Sequence, residues 1–402
     1  MKISILLPYK ENYSPEYPGA VSLFVSSMVN LSKFKETTKV YGSTNYKSYL
    51  TKNYINIILN KGLFISQTKQ YINNFIKTQD KDVDLIEIHN RPNYALQLEK
   101  IKKKLILYFH NDPNTMLGSK TLDEKIKLVN LCSNIIFNSH WSRSQFLMNL
   151  PSKYKKSEKL NVIHQSINKK TIDLNKKKKL ISFVGKLNTA KGYDIFGKTI
   201  IKILNKYPKW SANVIGDEPR EEFNFYHKNL NILGFKKHKD VLLNFEKTSI
   251  AVVCSRWNEP FGRTSLEASS RGCGVIISNR GGLPETITNG IILKDLSITS
   301  LFNEIENLIK NPKQLKKLQT SFDGMKDKMI ENASDALLPA LNKFAASFNA
   351  VINENLSKTF KSLESSVQDL VKWQENYKEH LEKFETHVNT LLNSLDESAK
   401  HL

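Results

Sequence analysis

SIAVVCSRWNEPFGRTSLEASSRGCGVIISN, residues 249–279, decides the fold. It opens on one apolar run, SIAVVCS (249–255), and closes on another, GVIISN (274–279). Runs this apolar read as strands buried on both faces. Pro260 and Gly262 shape a turn after the first, and Ser265-Leu266-Glu267-Ala268-Ser269 opens a helix before the second. Strand, helix, strand in one short stretch is the repeating unit of a parallel α/β sheet.

The same alternation extends in both directions. Toward the N-terminus come ISILLP (3–8), LIEIH (85–89), LILYFH (105–110), NIIFNS (134–139) and NVIHQS (161–166). A basic stretch, NKKTIDLNKKKK (168–179), intervenes, and then LISFVGK (180–186), ANVIGD (212–217), NLNILGF (229–235) and, past the opening unit, GIIL (290–293) follow. Two sets of buried strands split by a lysine-rich linker predict two doubly wound domains, 1–170 and 171–320, with strand C-termini facing a shared cleft.

Near residue 320 the strands stop. From Leu356 the apolar residues fall into heptads: Leu356, Leu363, Leu370, Tyr377, Phe384 and Leu391 in one row, Phe360, Val367, Gln374, Leu381, Val388 and Leu395 in the other. Eleven of these twelve are apolar, which predicts a coiled-coil tail over 321–402 and a homo-oligomer joined through 356–395. Gln374 suits a register-setting polar position. A long helix packed on its own domain is the alternative.

Charge is uneven. Residues 321–402 hold 9 Lys and Arg against 13 Asp and Glu, while the first 320 hold 51 against 26. A basic body attracts phosphorylated substrates or an anionic lipid surface, although an AT-rich coding bias produces the same excess of lysine. The lysines are not interleaved with aromatics, so no nucleic-acid partner is expected. Cys132, Cys254 and Cys273 are far apart, which excludes a disulfide framework and a CxxC zinc site. MKISILLPYKEN is too short in its apolar run for a signal peptide, and no stretch reaches the ~18 apolar residues of a spanning helix. A cytoplasmic protein is expected, with peripheral contact to the inner face of the membrane through the basic surface.

Three loops follow strand ends in the second half. In the first, EPFGRTSLE (259–267), Gly262 lets a backbone approach a ligand, and the helix start offers N–H groups and a positive dipole end suited to phosphate. Arg263 and Thr264 add donors, Glu259 suits sugar hydroxyls and Glu267 a vicinal diol. An acidic helix start without a ligand is the plain alternative. No Asp cluster accompanies the two glutamates, so no metal site is expected. FVGKLNTAKGYDIF (183–196) places Lys186 and Lys191 at a second helix start, and SNRGGLPETI (278–287) carries Gly281-Gly282.

V-G-K-L-x3-K-G, I-G-D, E-P-F-G-x4-E-A and G-G-L-P-E, in this order over residues 1–318, resemble family 4 of the retaining GT-B glycosyltransferases. The resemblance implies an α/β GT-B fold, two Rossmann-like domains facing a cleft, with the nucleotide-diphosphate sugar in the C-terminal half. Glu259 then holds donor-sugar hydroxyls, Glu267 the ribose diol, and Lys186 and Lys191 the diphosphate. Gly216 sits where the chain bends toward the nucleotide, Leu233-Gly234-Phe235 lines the base, and Phe261 and Gly262 offer backbone N–H groups. In the first half, Gly19 matches a glycine loop facing the phosphates, and His110 contacts the donor near the reacting carbon. His89-Asn90-Arg91 and Asn138-Ser139 end neighbouring strands. Glu259, His110 and Lys191 are thus the expected catalytic residues. The implied substrates are a UDP- or GDP-linked sugar and a glycan or lipid-linked acceptor, with no separate cofactor and no metal.

Three features depart from that pattern. Lys186 stands where arginine is common, and IHQSIN (163–168) replaces the usual proline-asparagine-glycine hinge. Nothing after Thr320 matches the usual crossing helix. Instead NKFAASFNAVINENLSKTFKSLESSV and LVKWQENY resemble the cytoplasmic tail of ZorA, the stator protein of Zorya anti-phage systems. A fused tail on a complete enzyme, or an interaction protein with an idle GT-B body, are the two readings left. A related epimerase fits the motifs less well. A dehydrogenase and a P-loop NTPase are disfavoured because GxGxxG and GxxxxGK[ST] are absent.

Overall fold

The computed structural model describes residues 1–59, 66–167, 170–287 and 289–320. In the C-terminal segment it describes 357, 359, 361–380, 382, 383, 385, 386 and 390. The chain divides into two units, Met1–Lys328 and Met329–Leu402.

The first unit holds two parallel sheets. One contains β1 (Ile3–Leu6), β2 (Thr38–Gly42), β3 (Tyr54–Asn56), β4 (Leu85–His89), β5 (Lys104–Phe109), β6 (Asn134–Phe137) and β7 (Leu160–Val162), in the order β3-β2-β1-β4-β5-β6-β7. The other contains β8 (Lys178–Val184), β9 (Ser211–Ile215), β10 (Leu230–Ile232), β11 (Thr248–Val253), β12 (Gly274–Ser278) and β13 (Ile291–Leu293), in the order β10-β9-β8-β11-β12-β13. Each order reverses beside its first strand, and that switch point is where doubly wound folds hold ligands. Every strand expected from the apolar runs is present. β2 and β3 were not foreseen: TKVYG and YIN are short and polar, although Val40 and Tyr41 are fully buried.

Both faces of each sheet are covered, which is why the strands are apolar throughout. Alternate residues of one strand enter different cores. Leu6 packs with Ile86, Leu107 and the helix residues Ile72 and Phe75, whereas Ile5 and Leu7 pack with Val21, Phe24 and Val25 of helix Ala20–Leu31. In the second sheet Ile250 and Val252 meet Ile200 and Ile203 of helix Tyr193–Lys206, and Ala251 meets Phe245 and Ala268 from the helices of the other face.

The lysine-rich linker is not all solvated. Lys177 turns inward, and its Nζ donates to the carbonyls of Phe245 (2.8 Å), Thr248 (2.7 Å) and Arg271 (2.6 Å). These carbonyls close a helix end, begin β11 and follow helix Arg263–Ser270, so one ammonium ties three segments to the linker. Burial holds its pKa below the ordinary lysine value.

In the second unit residues 361–380 are helical and exposed. Leu363, Val367, Leu370, Gln374 and Tyr377 of the heptad rows fall there; the other heptad positions lie outside the described residues. The crossing helix of the GT-B pattern is likewise a matter for residues 321–356, outside those described.

Lys177→Met should take a charged donor from three carbonyls, of which Phe245 O and Thr248 O keep only weaker ones, and lower stability by about 1–3 kcal/mol, read from urea unfolding. An unchanged midpoint would show that the linker is held by other contacts.

Candidate active site

Strand ends of both sheets converge on a cavity of about 260 Å³. His110, Lys191, Glu259, Phe261, Gly262 and Arg263 line it, together with Ala20, Asn138 and Gln165. Ligand pockets usually measure about 300–1,000 Å³, so this space suits part of an extended ligand. Of the other expected residues, Gly19, Lys186, Gly216, Phe235 and Glu267 are not in its lining.

Glu259 is held from two sides. Lys191 Nζ donates to its Oε1 at 2.5 Å, and both side chains are largely covered. Its backbone rests on the glycine pair: Gly282 N–H donates to Glu259 O at 2.7 Å, and a Cβ on Gly281 would lie 2.3 Å from that oxygen. Gly281 also has φ +61°, so the pair meets both a steric and a conformational demand. The third loop therefore braces the first and does not line the cavity.

Gly262 caps helix Arg263–Ser270 at φ +101°, and a side chain there would strike Leu283 Cδ1 at 2.3 Å. One turn on, Glu267 is buried and accepts from His238 Nε2 (2.9 Å) and Arg263 Nε (2.8 Å). Burial pushes its carboxyl up, but the hydrogen bond from His238 and the charge of Arg263 outweigh that and hold it below the ordinary glutamate value. The other side of the same guanidinium is different: Arg263 Nη1 is buried with no hydrogen-bond partner. A buried cationic N–H left open beside a cavity is a ready anion donor.

His110 is buried beneath the first sheet's strand ends. Its Nε2 lies 2.9 Å from His89 Nδ1 and its Nδ1 lies 3.2 Å from Gln165 Nε2. On the far side His89 Nε2 approaches Glu87 Oε1 within 2.8 Å, at an angle too poor for a hydrogen bond. A carboxylate only accepts, so the favoured direction of donation runs from Gln165 to His110, to His89 and toward Glu87. Burial first, then the neighbouring His89 ring and the Arg263 guanidinium, hold His110 well below the usual histidine value, so the ring is neutral. With both nitrogens engaged inside the protein, it meets the cavity through its carbon edges.

The remaining residues have distinct settings. A side chain on Gly19 would fall 1.9 Å from Glu11 Oε1, and that carboxylate accepts the Ser22 N–H at 3.0 Å. The helix start expected to face donor phosphates is thus occupied by a protein carboxylate, whose pKa burial raises. Gly216, at φ +140°, lies against Gly185, whose carbonyl oxygen would be 1.8 Å from an added Cβ. Lys186 is exposed. Phe235 stacks on Tyr17 of the first half, with centroids 4.6 Å apart. Gln165, His238, Glu87 and Glu11 were not foreseen. Gln165 and Glu87 lay in stretches that already stood out, IHQSIN and LIEIH, and Glu11 closed MKISILLPYKEN, but none of the three was singled out.

The two halves also grip each other beside the cavity. Ser139 Oγ donates to Pro260 O at 2.6 Å, and Glu285 accepts the N–H groups of His140 (2.7 Å) and Trp141 (2.9 Å) at the start of helix His140–Leu147.

A carboxyl with a depressed folded-state pKa stabilises the fold above its unfolded pKa, and that contribution is lost as pH falls through the folded value. The stability difference between the wild type and Glu267→Gln should therefore be constant around neutrality and shrink below about pH 4.5. Thermal melts of both across that range test this; a pH-independent difference would sink the His238–Glu267–Arg263 assignment.

Comparison with known proteins places this geometry. The chain is 32% identical to Spore coat protein SA of Bacillus subtilis (strain 168) over 158 residues, covering 35% of this chain and 42% of that protein. It is 29% identical to the lipopolysaccharide core biosynthesis mannosyltransferase LpcC of Rhizobium leguminosarum bv. viciae over 121 residues, covering 28% and 34%. Over 82 residues it is 32% identical to the Zorya protein ZorA of Escherichia coli, covering 20% of this chain and 15% of that one. The chain spans less than half the length of the curated relatives it matches. Among solved structures, Anabaena Alr3699/HepE in complex with UDP and glucose aligns with a TM-score of 0.64 at 17% identity, covering 84% of this chain and 99% of that one, a likeness of fold. The body of the chain has the GT-B fold, and its residues 164–323 match the family described as Glycosyl transferases group 1.

Proposed function

We propose that the chain is a retaining glycosyltransferase that moves a sugar from a nucleoside-diphosphate sugar to a cell-surface glycan or lipid-linked acceptor. The observation that carries this is the set of groups meeting in one cavity at the switch points of two sheets. Lys191 is paired with Glu259, and Arg263 Nη1 is left open at the start of a helix. The matched family region spans these residues, and the relatives include a lipopolysaccharide mannosyltransferase.

In this reading Glu259 holds hydroxyls of the donor sugar and Glu267 the ribose diol, in place of part of their present pairing with Lys191 and His238. Phe261 and Gly262 present backbone N–H groups to the sugar or phosphates. Lys186, Lys191, Arg263 and the helix dipole stabilise the departing diphosphate. The bond between the anomeric carbon and the phosphate oxygen breaks through an oxocarbenium-like state. The acceptor oxygen bonds to the same face, and its proton passes to a phosphate oxygen. His110 shapes the wall near that carbon. Fixed cations supply the charge stabilisation, so the reaction runs without a metal. Phe235, with Tyr17 over it, receives the base; UDP is the first nucleotide to try because HepE was crystallised with it.

Release of nucleoside diphosphate from a panel of UDP- and GDP-sugars tests the reading. One donor should be hydrolysed slowly by the wild type, and Lys191→Ala and Arg263→Ala should each lower kcat by about 10²–10³. Glu267→Ala should act mainly through KM, because a ribose contact is the same in ground and transition states. Turnover unaffected by all three would overturn the residue roles.

The tail is read as an oligomerising segment, and its exposed Leu363, Val367, Leu370 and Tyr377 support this. A chain ending at Thr320 should keep donor hydrolysis and lose self-association in sedimentation. Loss of hydrolysis with association intact would favour an interaction protein whose body is idle. The basic body is suited to peripheral contact with an anionic membrane surface.

A further inference from the structure

His140 begins a helix of the first half, His164 lies in the segment after β7, and Glu285 belongs to the turn Leu283–Thr286 of the second half. One ligand atom from each lies within 4.8 Å of the others. His164 Nε2 is 2.9 Å from Glu285 Oε2, and the two imidazoles meet edge to face with centroids 5.5 Å apart. None of the three lines the cavity between the sheets.

We propose that these residues form a divalent metal site of zinc type that bridges the two halves and holds the cleft closed. Two imidazoles and a carboxylate are a common zinc donor set that leaves a fourth position for water. Ligand atoms about 2.0–2.1 Å from a tetrahedral ion stand about 3.3 Å from one another. The His164–Glu285 separation is slightly shorter than that. His140 is exposed, and its side chain has room to close the remaining distance. Glu285 is already oriented: Oε2 accepts the His140 N–H and Oε1 the Trp141 N–H, the kind of outer hydrogen bonding that fixes a ligating carboxylate. The positive end of the same helix opposes a cation, so affinity should fall well short of a closed four-ligand site. Regulation fits that better than permanent structure: each ligand comes from a different segment, and separating the halves would dismantle the site.

The experiment is calorimetric titration of the untagged full chain with zinc chloride in a non-coordinating buffer. One ion should bind per chain, and His140→Ala and His164→Ala should each weaken binding at least tenfold. His227→Ala, a histidine of the second half whose ring accepts the Asn229 N–H, should leave it unchanged. Zinc should also slow hydrogen exchange at the amides of His140, Trp141 and Gly282. Binding that is absent, or as tight in both histidine variants as in the wild type, overturns the site. Binding without slower exchange overturns the bridge. Melting curves without zinc verify that the variants fold.

Discussion

The cleft depends on one close backbone approach. Gly281 and Gly282 lie directly on the Asn258–Pro260 turn, nearer than any side chain would allow, and Gly282 N–H donates to Glu259 O. That contact aims Glu259 at Lys191. It also presents the Pro260 carbonyl to Ser139 of the other half, and three residues later it delivers Glu285 to the start of helix His140–Leu147. A wider turn would release the glutamate and the seam between the halves together. The orientation of the site and the closure of the cleft are therefore set by the same few atoms.

Electrostatics follows from that geometry. Glu259 and Glu267 are both buried, and an unpaired buried carboxylate costs several kcal/mol. Each therefore holds a cationic partner in the free protein, Lys191 for one and Arg263 with His238 for the other. A ligand that binds here must exchange with those pairings. Hydroxyls do so cheaply, because a carboxylate accepts several hydrogen bonds at once. A diphosphate completes the exchange by taking up the cations. The buried Nη1 of Arg263 has no hydrogen-bond partner to give up. This exchange is what the proposed donor, with hydroxyls at one end and phosphate beside them, requires of the cavity.

Much of this was legible in the sequence, for a physical reason. Strands buried on both faces are written as unbroken apolar runs, so the central strands stand out. β2 and β3 lie toward one edge of their sheet, where short polar segments suffice, and they do not stand out. Of the site, the residues on strand-end loops were readable because glycine, proline and charge interrupt the apolar runs there at fixed spacings. Gln165 and His238 were not, since each matters only through a partner far along the chain, and Glu87 was not, because its strand run reads as core alone. Gly19 shows the converse. It was read as room for a phosphate, and the room is filled by Glu11. A glycine signals close approach without naming what approaches. Lys177 is equally silent in the sequence, because it looks like its neighbours in the linker and is bonded to three carbonyls.

The tail poses the opposite problem: its pattern is plain and its setting is not. Residues 361–380 form a helix on which Leu363, Leu370 and Tyr377 are all more than half exposed, with Val367, Val371 and Trp373 beside them. An isolated helix of this length is at best marginal in water, and most helical stability in proteins comes from burying an apolar face. Its ion pairs, such as Glu379 with Lys383, are exposed and contribute little. The heptad rows are therefore a demand for a partner surface of the same period. A second copy of the chain supplies that surface with its register already matched, and Gln374 penalises any alignment that leaves it facing an apolar residue. In the proposed oligomer the tail sets how many copies of the cleft are held together, and the cleft's chemistry is specified elsewhere.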